Sequence, residues 1–515
     1  MADKKKFIEH INEGYKVKGD FIILGTSILD GEALPGVHIK LPLKTLNRHG
    51  LIAGATGTGK TKTLQILAEG FSSKSIPVFV MDIKGDFSGI AMPGTVNDKI
   101  TERMNKIGIP YEPSGFPVEF LTISNEKGVR LRATVSEFGP VLFSKMLGLN
   151  DAQTGVMAMI FKYCDDNGLP LLDLKDMIKM LQYISNEGKD ELQKSYGNIA
   201  TTSVGTILRK VIELQQQGAD MFFGELSFEV EDLVRTDDRG MGVVSIIRLT
   251  DIQSKPKLFS TFLLCLLVEI YNTFPEVGDL DQPKLVMFID EAHLIFEEAT
   301  KELLDQIETI IKLIRSKGVG IFFCTQNPVD VPDSVLAQLG LKIQHALRAF
   351  TAKDRKQIKL TAENYPISEY YKTEDMLTSL GTGEAAISVL NEKGNPTPLS
   401  ATLVTAPRSR MDILTPGEID SLVSKSRLVK KYNEIIDRES AYEILTKKLE
   451  ESAKEEQKKE EEEIKEKPRE PSTVEKVLKS TTARQVGRTI AREITRGILG
   501  VLGIGGSSRK KKSWF

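Results

Sequence analysis

Residues 54–61 read Gly-Ala-Thr-Gly-Thr-Gly-Lys-Thr, and this octet limits what the chain can fold into more than any other stretch does. The pattern Gly-x-x-x-x-Gly-Lys-[Ser/Thr] works where a strand feeds a loop that opens into a helix. Leu51-Ile-Ala is the short apolar strand, and Thr61–Phe71 is the helical stretch. Glycines permit positive φ and close approach, so consecutive backbone N–H groups can point at one anion. The following helix adds its positive N-terminal end. Lys60 brings a mobile charge for the β- and γ-phosphate oxygens, and the Thr61 hydroxyl is placed to ligate Mg²⁺. A chance Gly/Thr turn is the bland alternative, and the strand–loop–helix context tells against it. Gly54, Ala55, Thr56, Gly57, Thr58, Gly59, Lys60, Thr61 and Lys62 are expected to cradle a nucleoside triphosphate.

The surrounding pattern fits a parallel sheet. Pro77-Val-Phe-Val-Met81 is an uninterrupted apolar strand ending at Asp82, which completes a βαβ unit. Helical periodicity takes over across 140–220, in Val141–Leu147, Gly155–Asp165, Leu174–Asn186 and Thr202–Gln217. Strands resume at Gly242–Ile247, Lys284–Ile289 and Val319–Cys324, with helices at about 257–273 and 302–316 between them. Another strand is expected at Lys342–Leu347, and a late pair at Glu384–Val389 and Ser400–Val404. Thr415-Pro-Gly-Glu418 has the form of a capping box with Pro at the first helical position. From Leu428 a long helix is predicted, its 450–470 stretch almost wholly Glu and Lys. The fold class is therefore α/β, with a mostly parallel central sheet, a helical insertion and a helical C-terminal extension. The predicted parts are a β segment at 1–45, a main domain at 46–410 with its insertion at about 140–220, C-terminal helices at 411–449, a charged linker at 450–473 and a basic tail at 474–515.

Two further strand ends carry chemistry. Leu285-Val-Met-Phe-Ile-Asp290-Glu291 is an apolar strand ending in two acids. Asp290 is expected to hold the hydrated Mg²⁺, and Glu291 to polarise an in-line water toward the γ-phosphorus. The alternative is a pair of acids that merely favours the next helix's N-terminus. Thr325-Gln326 ends the following strand, where ligands of parallel sheets bind, and the Gln326 amide could sense the γ-phosphate and the water. A plain turn before Asn327-Pro328 is the other reading. His293 is expected on a helix surface or in packing.

Composition narrows the class. Of 515 residues 40% are apolar and 27% charged, with a net charge of −2, so the chain is neither disordered nor uniformly basic. Cys164, Cys265 and Cys324 have no metal-site spacing, which points away from a disulfide scaffold or zinc module and toward a cytoplasmic protein. The longest strongly apolar run, Phe262–Val268, is far short of the roughly 20 residues that span a bilayer.

Four segments in this order, each at a strand edge, resemble the HerA/FtsK superfamily of P-loop ATPases, and more narrowly the bacterial HerA-like ATPases of the YjgR type. They are Gly54–Thr61, Val80-Met-Asp-Ile-Lys-Gly-Asp86, Ile289-Asp-Glu-Ala-His293 and Arg315–Pro328, joined by the late Gly381-Thr-Gly-Glu-Ala385. The resemblance covers roughly residues 20–410. It implies a RecA-like sheet, ATP hydrolysis with Mg²⁺, a homo-hexameric ring and double-stranded DNA threaded through its pore. It also implies that an arginine ten positions before Thr325, namely Arg315, completes the site of an adjacent subunit. Arg348 and Arg355 are the reserves. HerA proteins carry a sizeable N-terminal β-barrel that docks a nuclease, whereas only some fifty residues precede the loop here, so no nuclease partner is carried over.

Residues 474–515 hold ten basic side chains against two acidic ones, a net of +8. Arg484, Arg488, Arg492 and Arg496 form one helical row, and Val486, Ile490, Ile494, Ile498 and Leu502 form another on the opposite face. Such a helix suits an anionic membrane, DNA phosphates or a protein partner. Packing of its apolar row on the main body is the plain alternative. Two functions stay open at this point: a ring ATPase moving on double-stranded DNA, and a nucleotide-controlled assembly or membrane-associated switch that remodels a protein partner.

Overall fold

The computed structural model describes residues 3–466, apart from 254, 279, 299–300, 435 and 437. The chain divides into Met1–Thr446 and Lys447–Phe515. Of the second unit the described part, 447–466, is helical. The basic tail at 474–515 lies outside the described residues.

In chain order the strands are β1 (Phe21–Leu29), β2 (Glu32–Pro42), β3 (Gly50–Ala53), β4 (Val78–Asp82), β5 (Val118–Thr122) and β6 (Val129–Arg130). They continue as β7 (Val244–Arg248), β8 (Leu285–Ile289), β9 (Val319–Thr325), β10 (Leu341–His345), β11 (Glu384–Ser388) and β12 (Ser400–Val404). Among the described residues they form one sheet in the order β2-β1-β12-β11-β10-β3-β9-β8-β4-β7-β5-β6. Pairings from β10 across to β6 are parallel, and those from β2 to β10 are antiparallel. The unbroken apolar runs of β4, β8 and β9 match this arrangement, because each is buried along its whole length. One core layer lies between the sheet and helix Lys60–Ser73, where Phe71 packs against Phe288 and Phe322.

The two short β pieces predicted near the start are longer than their sequence signal. They form a hairpin whose register shifts at Ile23/Gly25 and Thr26/Ile28, and β1 joins the main sheet through β12. Those bulges break the strict alternation that a periodicity reading needs. Strands β5 and β6 lay outside the sequence reading. Glu119 interrupts the apolar run of β5 and is neutralised by Arg235 at 3.1 Å.

Between β6 and β7 stand helices Val135–Met146, Asp151–Asp166, Leu174–Ser185, Lys189–Tyr196 and Thr201–Gln216. Thr134, Asn150 and Asp173 each close a capping box at the start of one of them. Gly139, at φ 65° ahead of Pro140, kinks the first helix, so periodicity alone places its start at Val141. The long helix expected from Leu428 is interrupted. Helix Arg427–Tyr432 stops where the Tyr432 hydroxyl donates to Asp232 at 2.6 Å, and a new helix begins at Ala441. Glu443 caps that start by accepting the Ser440 N–H at 2.9 Å.

Candidate functional site

The octet connects β3 to helix Lys60–Ser73 with Gly54, Gly57 and Gly59 at φ values of 150°, 77° and 117°. Gly54 is required sterically, since a Cβ there would lie 2.5 Å from that of His345. The loop is tied on both sides. The Ala55 N–H donates to the Ala346 carbonyl beyond β10 at 2.9 Å, and the Gly383 N–H donates to the Thr58 carbonyl at 2.9 Å. Arg103 in turn holds the Gly383 and Val404 carbonyls at 3.0 and 2.8 Å. His345 fastens the helix from below. Its Nδ1–H donates to the Glu384 carbonyl at 2.8 Å, so Nε2 accepts from the Thr63 hydroxyl at 2.9 Å. Burial pushes the His345 pKa down to about 4, and the imidazole stays neutral.

Lys60 is buried and turns back over the loop, donating to the carbonyls of Gly54 at 2.6 Å and Ala55 at 3.2 Å. Burial holds its pKa below the ordinary lysine value. The Thr61 hydroxyl donates to Asp86 at 3.3 Å. Lys62 sends its ammonium to Gln65 at 3.2 Å and to the Met411 carbonyl.

Sheet order brings the other strand ends to this loop. Strand β9 lies between β3 and β8, with Ala53 opposite Thr325 and Ile289 opposite Phe323. Asp290 is therefore level with Cys324, and Gln326 leaves the sheet between the phosphate loop and Asp290-Glu291. Gln326 is exposed, while the neighbouring Thr325 hydroxyl is anchored on Asp330 at 2.6 Å. Strand β4 borders β8 on its other side, Met81 opposite Ile289, which sets Asp82, Lys84 and Asp86 beside the same acids.

The result is a buried acidic cluster facing two lysines. Burial pushes the Asp290 pKa up to about 6. Lys84 opposes that rise, and the charges of Glu291 and Asp86 add to it. Asp82, buried and next to Asp86 and Asp290, is raised to about 7. Glu291 is 5% exposed, adopts φ 48°, and is ion-paired with Lys84. His293 Nδ1 lies 3.1 Å from its other oxygen, so His293 belongs to the site's border rather than to a bare helix surface. Carboxyl groups raised by burial and by one another's charge fit a divalent cation. Among the described residues no group of three His, Cys, Asp or Glu could hold a metal by itself. Thr61 and Asp290 could hold Mg²⁺ if phosphate and water oxygens completed its shell, its usual habit.

Arg315 is not brought to this site. It follows helix Lys301–Ile314 and precedes β9, at the N-terminal edge of the parallel strands. The seven residues of β9 span roughly 23 Å at the usual rise, which rules out contact with the phosphates on its own loop. Arg315 instead lines a cavity of about 620 Å³ with Arg48, Lys312 and Lys342, and among the described residues no carboxylate lines that cavity. His49 fixes this corner, accepting the Ile321 N–H at 3.0 Å and donating to the Ile311 carbonyl at 2.9 Å. Arg348, just beyond β10, is exposed and donates to the Thr378 carbonyl at 3.2 Å. Arg355 lies on helix Ala352–Glu363.

Several residues of the site carried no assigned role in the sequence reading: Asp82, Lys84 and Asp86 after β4, Cys324 level with Asp290, and His345 under the loop. The signal for the first three was their place after an apolar strand, the same cue that marked Asp290. No such cue exists for His345, whose partners are 282 and 39 residues away.

The family model described as helicase HerA-like C-terminal matches residues 28–510. The DNA double-strand break repair helicase HerA of Sulfolobus acidocaldarius is 22% identical over 358 residues, 68% of this chain and 64% of that protein. The DNA import protein CedB of the same organism is 25% identical over 385 residues, 73% of this chain and 55% of that protein. The chain thus spans less than two thirds of the length of these relatives. Among solved structures, the bacterial conjugative coupling protein TrwBdeltaN70, in a trigonal form with sulphate, aligns with a TM-score of 0.51 at 13% identity, over 79% of this chain and 95% of that one. At that identity the likeness is one of fold, and the fold is RecA-like. With a family match running over most of its length, the chain belongs to the helicase HerA-like family within the HerA/FtsK superfamily of P-loop ATPases.

Proposed function

We infer that this protein is a Mg²⁺-dependent ATP hydrolase that assembles as a homo-hexameric ring and moves along double-stranded DNA. The observation that carries the hydrolase reading is the position of β9 between β3 and β8, which sets Gln326 between the phosphate loop and Asp290-Glu291. The loop from Gly54 to Lys62 binds the phosphates, and Lys60 exchanges its backbone carbonyls for phosphate oxygens. Mg²⁺, when bound, neutralises charge on those oxygens. Glu291 takes the proton of the attacking water as its oxygen bonds to the γ-phosphorus, and the bridging bond breaks to leave ADP. Gln326 orients that water.

The ring is supported by the position of Arg315. A guanidinium that its own phosphates cannot reach, in a cavity lined among the described residues by four cations and no carboxylate, suits phosphates held by a second copy. DNA as the track is supported by the family and by the names of the two relatives, a repair helicase and a DNA import protein. We propose the cytoplasm as the compartment on cysteine usage. The test is the ATPase rate with and without double-stranded DNA across a salt series. Stimulation that falls steeply with salt is expected, because phosphate contacts release counterions. A rate indifferent to DNA but raised by anionic liposomes or a protein would favour the second reading, a nucleotide-controlled switch. That reading is supported by the +8 charge of residues 474–515.

A further inference from the structure

Lys84 stands on a turn of fixed shape. The Asp82 carboxylate accepts the N–H groups of Gly85 at 2.8 Å and Phe87 at 3.2 Å. Gly85 has φ 75°, and a Cβ on it would lie 2.8 Å from a methyl of Thr250. Because β4 and β8 are parallel neighbours in register, this turn presents the Lys84 stem to the residues that follow β8. Its ammonium pairs with the Glu291 carboxylate.

Glu291 needs that partner. Its carboxylate is buried, Lys84 and His293 lie against its two oxygens, and Lys60 acts on it only through its charge. Its backbone sits in the left-handed region at φ 48°, a conformation that a non-glycine residue keeps only where its surroundings hold it. Stripping the cation from a buried carboxylate without a replacement is strongly unfavourable. Yet a glutamate that serves as a base cannot stay closed by an ammonium, since the water must reach the same oxygens. The pair therefore has to open when the site is loaded, and what opens it must offer Lys84 a competing anion.

We propose that Lys84 is a positioning residue that serves two anions in turn, holding Glu291 in the empty site and passing to the terminal phosphate of a bound nucleoside triphosphate, which frees Glu291 to face the water. The proposal rests on reading the site as an ATPase site. It makes the glutamate sensitive to the third phosphate. A diphosphate lacks the competing anion and leaves the pair closed.

Equilibrium binding to the full chain tests this, using Mg²⁺ with an imido-bridged, non-hydrolysable ATP analogue and, separately, Mg²⁺ with ADP. Lys84→Met keeps the apolar stem and removes the charge. It should weaken the analogue about tenfold or more, the scale of one charge-assisted hydrogen bond, and leave ADP within about twofold. Lys84→Arg should restore most of the discrimination. Glu291→Gln, which releases Lys84 beforehand, should tighten the analogue and not ADP, and that gain should vanish in the double variant. Equal losses for both nucleotides in Lys84→Met, or a Glu291→Gln gain that persists without Lys84, would overturn the proposal. Binding is read without turnover, so a Glu291→Gln variant that still hydrolyses ATP would sink the catalytic reading of Glu291 and leave this result intact.

Discussion

The Lys60 ammonium lies 2.6 Å from the carbonyl oxygen of Gly54, six residues before it, so the lysine folds back over its own loop. This contact compensates a buried charge whose pKa is already lowered by desolvation. Lys60→Ala should therefore leave the nucleotide-free fold as stable as the parent, or slightly more stable, by thermal melting. Nucleotide affinity in calorimetry should fall by at least tenfold, since the mobile cation for the β/γ oxygens is gone. Near-normal binding would remove the octet from the site.

Glu291→Gln separates binding from cleavage. The amide keeps the volume and leaves Asp290 in place, but it cannot accept the water's proton. Bound ATP should persist, with turnover reduced by about a hundredfold or more. Single-turnover cleavage at the parent's rate would mean that another group acts as the base.

Arg315 offers a test of assembly. Arg315→Ala should lower hydrolysis about a thousandfold or more while sparing ATP binding. Mixing this variant with Glu291→Gln should restore part of the activity, because some interfaces then pair an intact loop with an intact arginine. A fully active monomer, or no recovery on mixing, would argue against a shared site.

Two buried groups set opposite pH dependences. His345 has a folded pKa of about 4 against an ordinary 6.5, so its contribution is full above about pH 6.5 and is lost as the pH falls toward 4. Asp82 is raised from 3.8 to about 7, so the folded state keeps a proton the unfolded chain has lost, and stability falls as the pH rises through that window. Asp82→Asn removes the second effect. Its melting temperature relative to the parent, without metal or nucleotide, should be more favourable at pH 8 than at pH 5. A difference that does not change with pH would show that Asp82 ionises normally.

What the sequence alone determined is local. The glycines at 54, 57 and 59, Lys60 and Thr61 declare a phosphate loop because each residue type meets a need within its own turn. Likewise, the apolar runs ending at Asp82, Asp290 and Gln326 declare buried parallel strands with polar ends. The tertiary structure decided which strand ends meet. Only the insertion of β9 between β3 and β8 brings Gln326 beside Asp290, and only the neighbouring β4 brings Lys84 to Glu291, more than two hundred residues away along the chain. His345 could not be assigned for the same reason, its partners Thr63 and Glu384 being remote in sequence. Pairing between distant strands depends on the packing of whole faces, and no single segment encodes it. The edge of the sheet on which Arg315 lies was likewise a consequence of strand direction: a residue that precedes a parallel strand ends up a full strand length from the phosphates its neighbours bind.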